Sequence, residues 1–555
     1  MHCRQAAAQA GTHAKAGSEN SETPRDDGRK EAEMMMNRLL TTVLCSLVTV
    51  CTAVQADPTR PRLVVGIVVD QLRTDYIEYL QSLFGEKGFR RLMADGAYLR
   101  NVDFRTVQPD AVSATAMLYT GSNPAQTGVP SANAYDRARG KMQHTLARDH
   151  TYTPEGLLLS TVSDELAIDG IGLGAIYSLA ADPQQAVIMA GHAGTAAYWI
   201  SEENGKWTTS PYYRDAVATV TAALSRRSPD ARIDTMQWKP SLPLDRYPGL
   251  PAQKRHYPFR YTFSRADRDI YRKYIASPLA NREVTQAAIE CLRSQKLGNR
   301  AETIDMLNIA LTAAPYKYAK DADSRLELQD TYLRLDADLA ALLDAIDQCV
   351  GLDNALVYLS STGYYDDASA DAEKYRIPTG NFSVKRAVSL LNAYLSATYG
   401  NDDYVAGYAA GHFYLNEKAV ATRRLDGDEL AERARDFLNR MSGVADAYTV
   451  DDILSGGDAT LSLRNSLDIK NGGDIYVMFT PGWTVTDDTT YPEKVNNVRS
   501  AAVASPFFML GRGIEPRVIG EPVDAVVLAP TITQALRIRA PNGAASRPLM
   551  LNSPR

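Results

Sequence analysis

Residues 63–76, Leu-Val-Val-Gly-Ile-Val-Val-Asp-Gln-Leu-Arg-Thr-Asp-Tyr, decide the fold. The first seven are aliphatic or glycine and show no polar alternation, which predicts a central parallel strand covered on both faces. The strand ends at Asp70, and in an open α/β sheet ligands bind at the carboxyl ends of the strands. A carboxylate there is a natural metal ligand. The alternative is that Asp70 caps a helix predicted over residues 71–83, because aspartate favours that position.

The composition is typical of a globular protein with one large α/β domain or several domains. Of the 555 residues, 45% are hydrophobic and 23% are charged. The formal net charge is −6 and the charges are interspersed, so no basic patch indicates a nucleic-acid partner or an anionic lipid surface. We therefore expect no nucleic-acid binding.

The first 33 residues are polar or small and predict no core. We interpret residues 1–33 as a non-native extension produced by an over-extended reading frame. Translation would then begin at Met34, Met35 or Met36, and the alternative start is Met1.

The next segment, residues 34–56, predicts a secretory signal peptide. It has an apolar stretch at residues 39–52, and Val54 and Ala56 are small residues that suit a cut after position 56. The apolar stretch is too short to span a bilayer, and no later segment is long and apolar enough. We expect the mature chain, residues 57–555, to be periplasmic or secreted, without a membrane span.

Cys291 and Cys349 are the cysteines of the mature chain. An exported protein can oxidise such a pair, but two cysteines do not form a disulfide framework. The alternative is that both are buried small residues without a bridge.

Several other segments have a clear secondary-structure pattern. An amphipathic helix is predicted over residues 89–98, with Gly96 as a left-handed cap. Buried strands are predicted over 306–311 and 356–360, and a helix over 329–346.

A set of motifs in a fixed order resembles the alkaline phosphatase superfamily, which includes the nucleotide pyrophosphatase/phosphodiesterases and exported bacterial phosphate-monoesterases. The resemblance implies an α/β fold, with a mainly parallel sheet flanked by helices and a cap inserted at about residues 195–300. It covers nearly the whole mature chain. The motifs are Asp70, Tyr119-Thr-Gly-x-x-Pro-x-x-x-Gly-Val129, Ala190-Gly-His-Ala193, Asp330-Thr-Tyr-Leu-Arg-Leu-Asp336 and Ala529-Pro-Thr531.

The resemblance also implies a reaction. Members of this superfamily hold two zinc ions with Asp and His side chains, and a Thr or Ser alkoxide attacks phosphorus. Two dications about 4 Å apart activate the nucleophile and neutralise both in-line oxygens, so each needs several protein ligands. Asp70 matches the first ligand.

The family's nucleophile position falls on Ala111, which has no oxygen to attack with. Ser113 and Thr115 are nearby hydroxyls that would serve if the loop shifts. The alternative is that both are ordinary helix-start residues, since Ser and Thr favour that place.

The remaining positions also depart from the family pattern. Five expected zinc ligands and two expected phosphate-orienting cations are replaced by side chains that do neither task. The ligand positions hold Pro315, Ala319, Thr362, Gly363 and Ala504, and the cation positions hold Asp182 and Gln184.

Replacement ligands are few. Asp366 and Asp367 follow the lost Asp-His pair and would hold one hard cation together with Asp70. The alternative is an exposed acidic turn. His192 matches a histidine that the family often carries in the cap, where it looks structural or near the cleft and not like a ligand. His150 lies outside the family's ligand loops.

These substitutions predict a catalytically inactive pseudo-phosphatase, exported to bind or scaffold in the cell envelope. One alternative is an active metal-dependent phosphoesterase, acting on monoesters or diesters, with a non-standard site at Asp70. Another is a binding module for a phosphorylated sugar or lipid. We expect no cofactor for the inactive protein and zinc for the active one. The partner would be an unidentified envelope protein or a phosphorylated ligand.

Overall fold

The strand predicted around Val64 to Val69 runs over Leu63–Asp70 and is the centre of the main sheet. The computed structural model describes residues 60–551 other than 108, 150, 214–217, 251, 301, 322, 367–375, 469–470, 490–493 and 499–502. All described residues belong to one unit, Ala56–Arg555. The predicted extension and signal peptide, and the candidate residues His150 and Asp367, lie outside the described residues.

The strands are numbered in chain order along the described residues. They are β1 Leu63–Asp70, β2 Ala97–Leu99, β3 Val102–Asp103, β4 Asn133–Asp136, β5 Lys141–His144, β6 Ala147–Arg148, β7 Thr151–Tyr152, β8 Ile176–Ala180, β9 Ala196–Ile200, β10 Trp207–Thr209, β11 Gln237–Trp238, β12 Tyr261–Thr262, β13 Asp305–Thr312, β14 Ala355–Ser361, β15 Asn381–Ser383, β16 Val405–Ala409, β17 His412–Leu415, β18 Val444–Thr449, β19 Ile475–Phe479, β20 Thr484–Asp487, β21 Lys494–Asn497, β22 Phe507–Gly511, β23 Arg517–Ile519 and β24 Val523–Asp524.

The α-helices are numbered in the same way. They are α1 Thr74–Leu80, α2 Phe89–Asp95, α3 Ala111–Thr120, α4 Pro124–Thr127, α5 Val162–Asp169, α6 Pro183–Ala190, α7 Ala218–Arg227, α8 Ile270–Ile275, α9 Pro278–Ser294, α10 Arg325–Cys349, α11 Val384–Tyr399, α12 Glu417–Arg423, α13 Gly427–Leu438, α14 Val450–Ser455, α15 Leu461–Ser466 and α16 Leu528–Leu536.

The main sheet has the strand order β10-β9-β8-β13-β1-β14-β22-β2-β23. Strands β9, β8, β13, β1 and β14 are mutually parallel, whereas β10 and β22 join them antiparallel. A run of buried parallel strands is what continuous apolar segments favour. The predicted α/β class with a mainly parallel sheet is confirmed.

Helices cover both faces of this sheet, because alternate side chains of β1 point into two different cores. Val65 and Ile67 pack with α9 and α10 on one face. Val64 and Val68 pack with α3, α6 and α16 on the other. Both pairs are fully buried, which explains why β1 has no polar position before its last residue.

The predicted strands and the long helix are confirmed with slightly wider bounds. The strands predicted over 306–311 and 356–360 are β13 and β14, and the helix predicted over 329–346 is α10, which has 25 residues. Residues at the ends of strands and helices contribute little to the apolar pattern, so the sequence predicts the ends of an element less accurately than its centre.

Two helix-end predictions are wrong. Asp70 does not cap a helix, because α1 begins at Thr74 and its N-cap residue is Arg73. Gln71 adopts φ +58°, a left-handed turn that separates the strand from the helix. Gly96 is extended, with φ −119°, because the chain passes directly from α2 into β2 instead of closing a left-handed cap.

A small lobe, residues 381–498, has its own core. No pattern identified in the sequence predicts this lobe. Its four-stranded sheet has the order β16-β17-β19-β18, and α11 and α13 pack on it. Phe413, Leu430 and Ile475 are fully buried in that core. The lobe therefore has a sheet and a hydrophobic core separate from those of the main sheet.

The predicted cap at residues 195–300 overlaps the main sheet at both ends. β9 and β10, at its start, are strands of that sheet, and α9, near its end, packs against α10 and β13. Where the cap begins and ends stays a prediction.

Cys291 is buried and Cys349 is half-buried, and neither forms a disulfide. Within the described part of the chain, no helix is both long and apolar enough to cross a bilayer.

Candidate functional site: a cleft at the end of the central strands

The carboxyl ends of β13, β1 and β14 meet at one edge of the sheet. Asp70 pairs in register with Thr312 of β13, and Val69 pairs with Ser361 of β14. A cleft of about 370 Å³ opens there, where open α/β sheets bind their ligands. Its polar lining includes Asp70, Gln71, Asp110, Asp182, Gln185, Glu202, Arg272, Asn281, Thr312, Lys317, Tyr318 and Tyr364.

Asp70 is held by a threonine. The Thr362 hydroxyl donates to Asp70 Oδ1 at 2.9 Å and accepts the backbone N–H of Gln71 at 2.9 Å. Thr362 stands where the family resemblance expects a carboxylate ligand. A neutral hydroxyl therefore binds the remaining carboxylate at this position, where the family pattern has a second negative charge.

Asp366 forms two hydrogen bonds with the side chain of Gln71, one through its carboxylate and one through its backbone N–H. Gln71 Nε2 donates to Asp366 Oδ2 at 3.1 Å, and the Asp366 N–H donates to Gln71 Oε1 at 2.9 Å. The prediction that Asp366 and Asp367 hold a cation with Asp70 stays a prediction, since Asp367 is outside the described residues.

Ala111, at the family's nucleophile position, is the first residue of α3 and lines the cleft. The preceding residue, Asp110, is the helix cap: its Oδ1 accepts the N–H groups of Val112 and Ser113. Its Oδ2 accepts the Ser131 hydroxyl at 2.9 Å. These bonds hold the start of α3, where Ala111 lines the cleft.

Both hydroxyls suggested as substitute nucleophiles are buried within α3. Ser113 is 1% exposed and forms the capping box with Asp110. Thr115 is fully buried; its hydroxyl donates to the Ala111 carbonyl at 2.5 Å and accepts Gln185 Nε2 at 3.0 Å. Neither is among the residues that line the cleft, and their catalytic use stays a prediction.

An acid and an amide occupy the two phosphate-orienting positions. Asp182 caps α6 by accepting the Gln185 N–H at 2.9 Å. Burial, with the nearby charges of Glu202 and Asp110, raises the pKa of Asp182 to about 6. Gln184 is buried, and its amide binds the Ala132 carbonyl and the Leu146 N–H, each at 3.0 Å. This wall therefore offers negative charge in place of cations.

Arg272 and Lys317 are the cationic side chains among the described residues that line the cleft. Arg272 forms ion pairs with Glu202 at 3.3 Å and with Asp269 at 3.4 Å. Lys317 also lines the cleft. The lining also holds the carboxylates of Asp70, Asp110, Asp182 and Glu202. The described residues of the cleft therefore carry no surplus positive charge to attract a phosphate group.

The other expected ligand positions hold residues without a ligand group. Pro315 lines the cleft, whereas Ala319 packs against an aromatic cluster that includes Trp238. Gly363 has φ +78°, and a Cβ there would collide with the ring of Phe104. Phe104 therefore occupies the space that a side chain at position 363 needs.

The residues present do not fit a two-zinc centre. Around Asp70 the side chains at the expected ligand positions have no carboxylate, imidazole or thiolate, and those are the groups that bind zinc in proteins. Among the described residues, no group of three or more His, Cys, Asp or Glu side chains is placed to hold a metal ion.

His192 is hydrogen-bonded at both ring nitrogens. Its Nδ1 lies 3.0 Å from Asp164 Oδ2 and its Nε2 lies 3.0 Å from the Leu157 carbonyl oxygen. The hydrogen bond to Asp164 raises the pKa of His192.

The sequence did not predict a role for Phe104, because nothing in its local pattern shows that it contacts Gly363, more than two hundred residues later in the chain.

The fold and the position of this cleft define the class of protein: an α/β protein of the alkaline phosphatase superfamily. The chain belongs to the Type I phosphodiesterase / nucleotide pyrophosphatase family, whose sequence profile matches residues 64–502.

Known members of the superfamily are similar over most of the chain. Alkaline phosphatase PafA of Elizabethkingia meningoseptica is 26% identical over 521 residues, which is 88% of this chain and 94% of that protein. Alkaline phosphatase PhoV of Synechococcus elongatus is 24% identical, over 87% of this chain and 91% of that protein. The crystal structure of wild-type PafA superposes with a TM-score of 0.77 at 25% identity, covering 88% of this chain and 98% of that one.

Proposed function

We propose that this protein is an exported, catalytically inactive member of the alkaline phosphatase superfamily, whose cleft at Asp70 serves binding or scaffolding in the cell envelope. The observation that supports this most strongly is the side chain at the head of α3. Ala111 faces the cleft from a helix start that Asp110 holds in place. A methyl group has no lone pair with which to attack phosphorus, and losing an activated nucleophile alone costs several orders of magnitude in rate.

The metal-binding positions support the same proposal. Zinc that is held by one carboxylate in an open cleft would dissociate, because catalytic sites use about three protein ligands for each ion. Asp70 accepts a hydrogen bond from Thr362, and the ring of Phe104 excludes a side chain at position 363. Restoring one ligand would therefore not restore the centre.

Electrostatics support binding of something other than a phosphate ester in this cleft. Asp182 and Glu202 line the wall where the family resemblance expects cations. A phosphate group there would meet like charge at short range. Export, the cell-envelope location and an envelope partner are parts of the proposal that derive from the predicted signal peptide.

The alternative is an active metal-dependent phosphoesterase with a non-standard site. It is favoured by the names of two relatives, both alkaline phosphatases, that match most of the chain. It requires a metal ion, zinc in this family, at Asp70, and a rearrangement of α3 that brings Ser113 or Thr115 into the cleft.

Hydrolysis assays separate the two functions. Purified protein should not turn over p-nitrophenyl phosphate or bis-p-nitrophenyl phosphate above buffer between about pH 6 and pH 10, with zinc added. Asp70→Asn should leave this background unchanged, as should Asp344→Asn, a matched surface control whose native carboxylate pairs with Lys87. Turnover by the wild type that Asp70→Asn abolishes and Asp344→Asn retains would establish the active alternative.

A further inference from the structure

Three exposed aliphatic side chains follow one another at the end of α5. They are Ile168, Ile171 and Leu173, with exposed fractions of 61%, 85% and 65%. Single exposed apolar residues are ordinary on a protein surface, whereas a contiguous group of them marks a surface that contacts a partner. We call residues 168–173 the apolar tip.

Backbone hydrogen bonds hold the apolar tip in a compact turn. The Ile171 N–H donates to the Ile168 carbonyl at 3.1 Å, and the Gly172 N–H donates to the Ala167 carbonyl at 2.8 Å. The Leu173 N–H also donates to a carbonyl of this turn, at 3.0 Å. The three apolar side chains are therefore presented by a folded segment.

Isoleucine is an unfavourable residue at position 171. Its φ is +52°, in the left-handed region that a β-branched residue rarely adopts. Glycine or asparagine would relieve this strain. Because the Ile171 side chain is mostly exposed, packing within the described part of the chain does not account for it. A residue that combines backbone strain with hydrated apolar surface points to a contact outside the chain.

The size of the apolar tip favours a bilayer over a second copy of this chain as that contact. A stable protein–protein interface buries about 800 Å² on each partner, from roughly 20–30 residues. Three aliphatic side chains supply only a small part of such a surface. A bilayer takes up apolar side chains at the boundary between its headgroups and acyl chains, with a strength that scales with the apolar area buried. A small apolar tip therefore suits weak, reversible membrane contact.

The apolar tip also lies where the chain leaves its predicted export segment. Arg60, the first described residue, forms an ion pair with Asp169 of the tip at 2.5 Å. Residues 53–59 separate Arg60 from the apolar stretch at 39–52. An extended chain of that length spans at most about 30 Å. A bilayer that holds the apolar stretch is therefore within that distance of Arg60.

The apolar tip and the cleft at Asp70 lie at opposite ends of the main sheet. The tip leads into the first residues of β8, which is parallel to β13, so it lies at the amino ends of these strands. The cleft lies at the carboxyl ends. Contact of the tip with a membrane therefore leaves the cleft facing away from the membrane.

We propose that the apolar tip is a membrane-contacting surface, which binds weakly and reversibly to the lipid bilayer across which the chain is exported. The inference rests on the export that the proposed function includes, and it names the bilayer as a partner in the cell envelope. It does not depend on whether the cleft at Asp70 hydrolyses anything.

Co-flotation of the exported, purified protein with vesicles of phosphatidylethanolamine and phosphatidylglycerol tests the inference. The wild type should float with the vesicles. Ile171→Asn should lower the partition coefficient about three- to tenfold, because it removes the most exposed apolar side chain. Its melting temperature should equal or exceed that of the wild type, because asparagine tolerates a positive φ. Misfolding would then not explain the weaker binding.

The matched controls are Ile168→Thr and Val518→Thr. Both native side chains are β-branched, aliphatic and 61% exposed. Val518 belongs to the edge strand β23, on the other side of the sheet from β8. Ile168→Thr should weaken vesicle binding, whereas Val518→Thr should bind as the wild type does.

Four results would overturn the inference. Exported wild-type protein that does not float with vesicles would overturn it and leave the proposed function standing. Equal losses in Ile168→Thr and Val518→Thr would show that the tip has no special role. A wild-type dimer that Ile171→Asn dissociates, measured by sedimentation, would assign the tip to self-association. Retention of the chain in the cytoplasm would overturn both the proposed export and this inference.

Discussion

Gly66 is the one interruption in the aliphatic run of β1, and the structure gives it a steric reason. A Cβ there would lie 2.6 Å from the Asn308 side-chain oxygen and from the Tyr119 hydroxyl, and would also collide with the Tyr358 hydroxyl. The Tyr119 hydroxyl donates to Asn308 at 2.8 Å, so these polar groups meet directly over the strand. Only glycine leaves them room.

Gly66→Ala should therefore lower the free energy of unfolding by about 1–3 kcal/mol, the usual cost of forcing extra atoms into a packed core. Gly427→Ala is the matched control, because a Cβ at Gly427 meets nothing within 4 Å. Chemical denaturation measures both. Equal stability of the Gly66→Ala variant and the wild type would contradict the steric account.

Asp182 tests the electrostatics of the cleft at the same scale. Its pKa is about 6 in the folded protein and 3.8 as a reference, so the folded state binds the proton more tightly. Stability contributed by this group is present below about pH 4 and is lost as the pH rises through 6. Asp182→Asn, which keeps a capping residue on α6, should stabilise the protein by about 1–2 kcal/mol at pH 8 and little at pH 4.

Thermal unfolding at the two pH values measures this difference. Asp426→Asn, at the exposed cap of α13, is the control for exchanging one cap residue for the other. If Asp182→Asn is no more stable than the wild type at pH 8, the negative charge of Asp182 is stabilised by its surroundings more than the structure indicates.

At the scale of elements, the central strands can be predicted because they are apolar runs in the sequence. The turns between elements have no comparable pattern and could not be predicted. β1, β13 and β14 are mainly apolar segments that are buried up to the last residue of β1 and β13, and each ends where the sequence places it to within one residue. The helix start after Asp70 was wrong because a non-glycine residue, Gln71, adopts a left-handed conformation there. Propensity does not predict that choice.

The loop after β14 allows a test of how Phe104 and Gly363 pack beside the cleft. Gly363→Ala should destabilise the protein by at least about 2 kcal/mol, because φ is +78° and the Cβ would meet the Phe104 ring. Phe104→Ala removes that ring, so the double variant should be more stable than the sum of the single losses predicts. A double-mutant cycle by denaturation measures the coupling. Strictly additive losses would contradict the account that Phe104 fills this space.

At the scale of the whole molecule, the sequence predicts a main sheet with helices on both faces but does not predict the small lobe. The two cores on the faces of β1 follow from its alternate residues, which can be seen in the sequence. Packing of the β4–β5 hairpin against the small lobe brings Tyr135 beside Tyr414, about 280 positions later in the chain. Such distant pairs form only through tertiary packing. The replacement of the metal ligands stays a prediction from position-by-position comparison with the family, since residue identity at each position is a property of sequence alone.

The zinc content of the exported, purified protein tests the central claim most directly. Two-metal phosphoesterases bind about two ions per chain, whereas a cleft with Asp70 bonded to Thr362 and with Phe104 beside Gly363 should retain none. Elemental analysis after dialysis against zinc-containing and then metal-free buffer should give well below one zinc per chain. Asp70→Asn should give the same value. About two zinc ions per wild-type chain, lost in Asp70→Asn, would contradict the account of a dismantled metal centre.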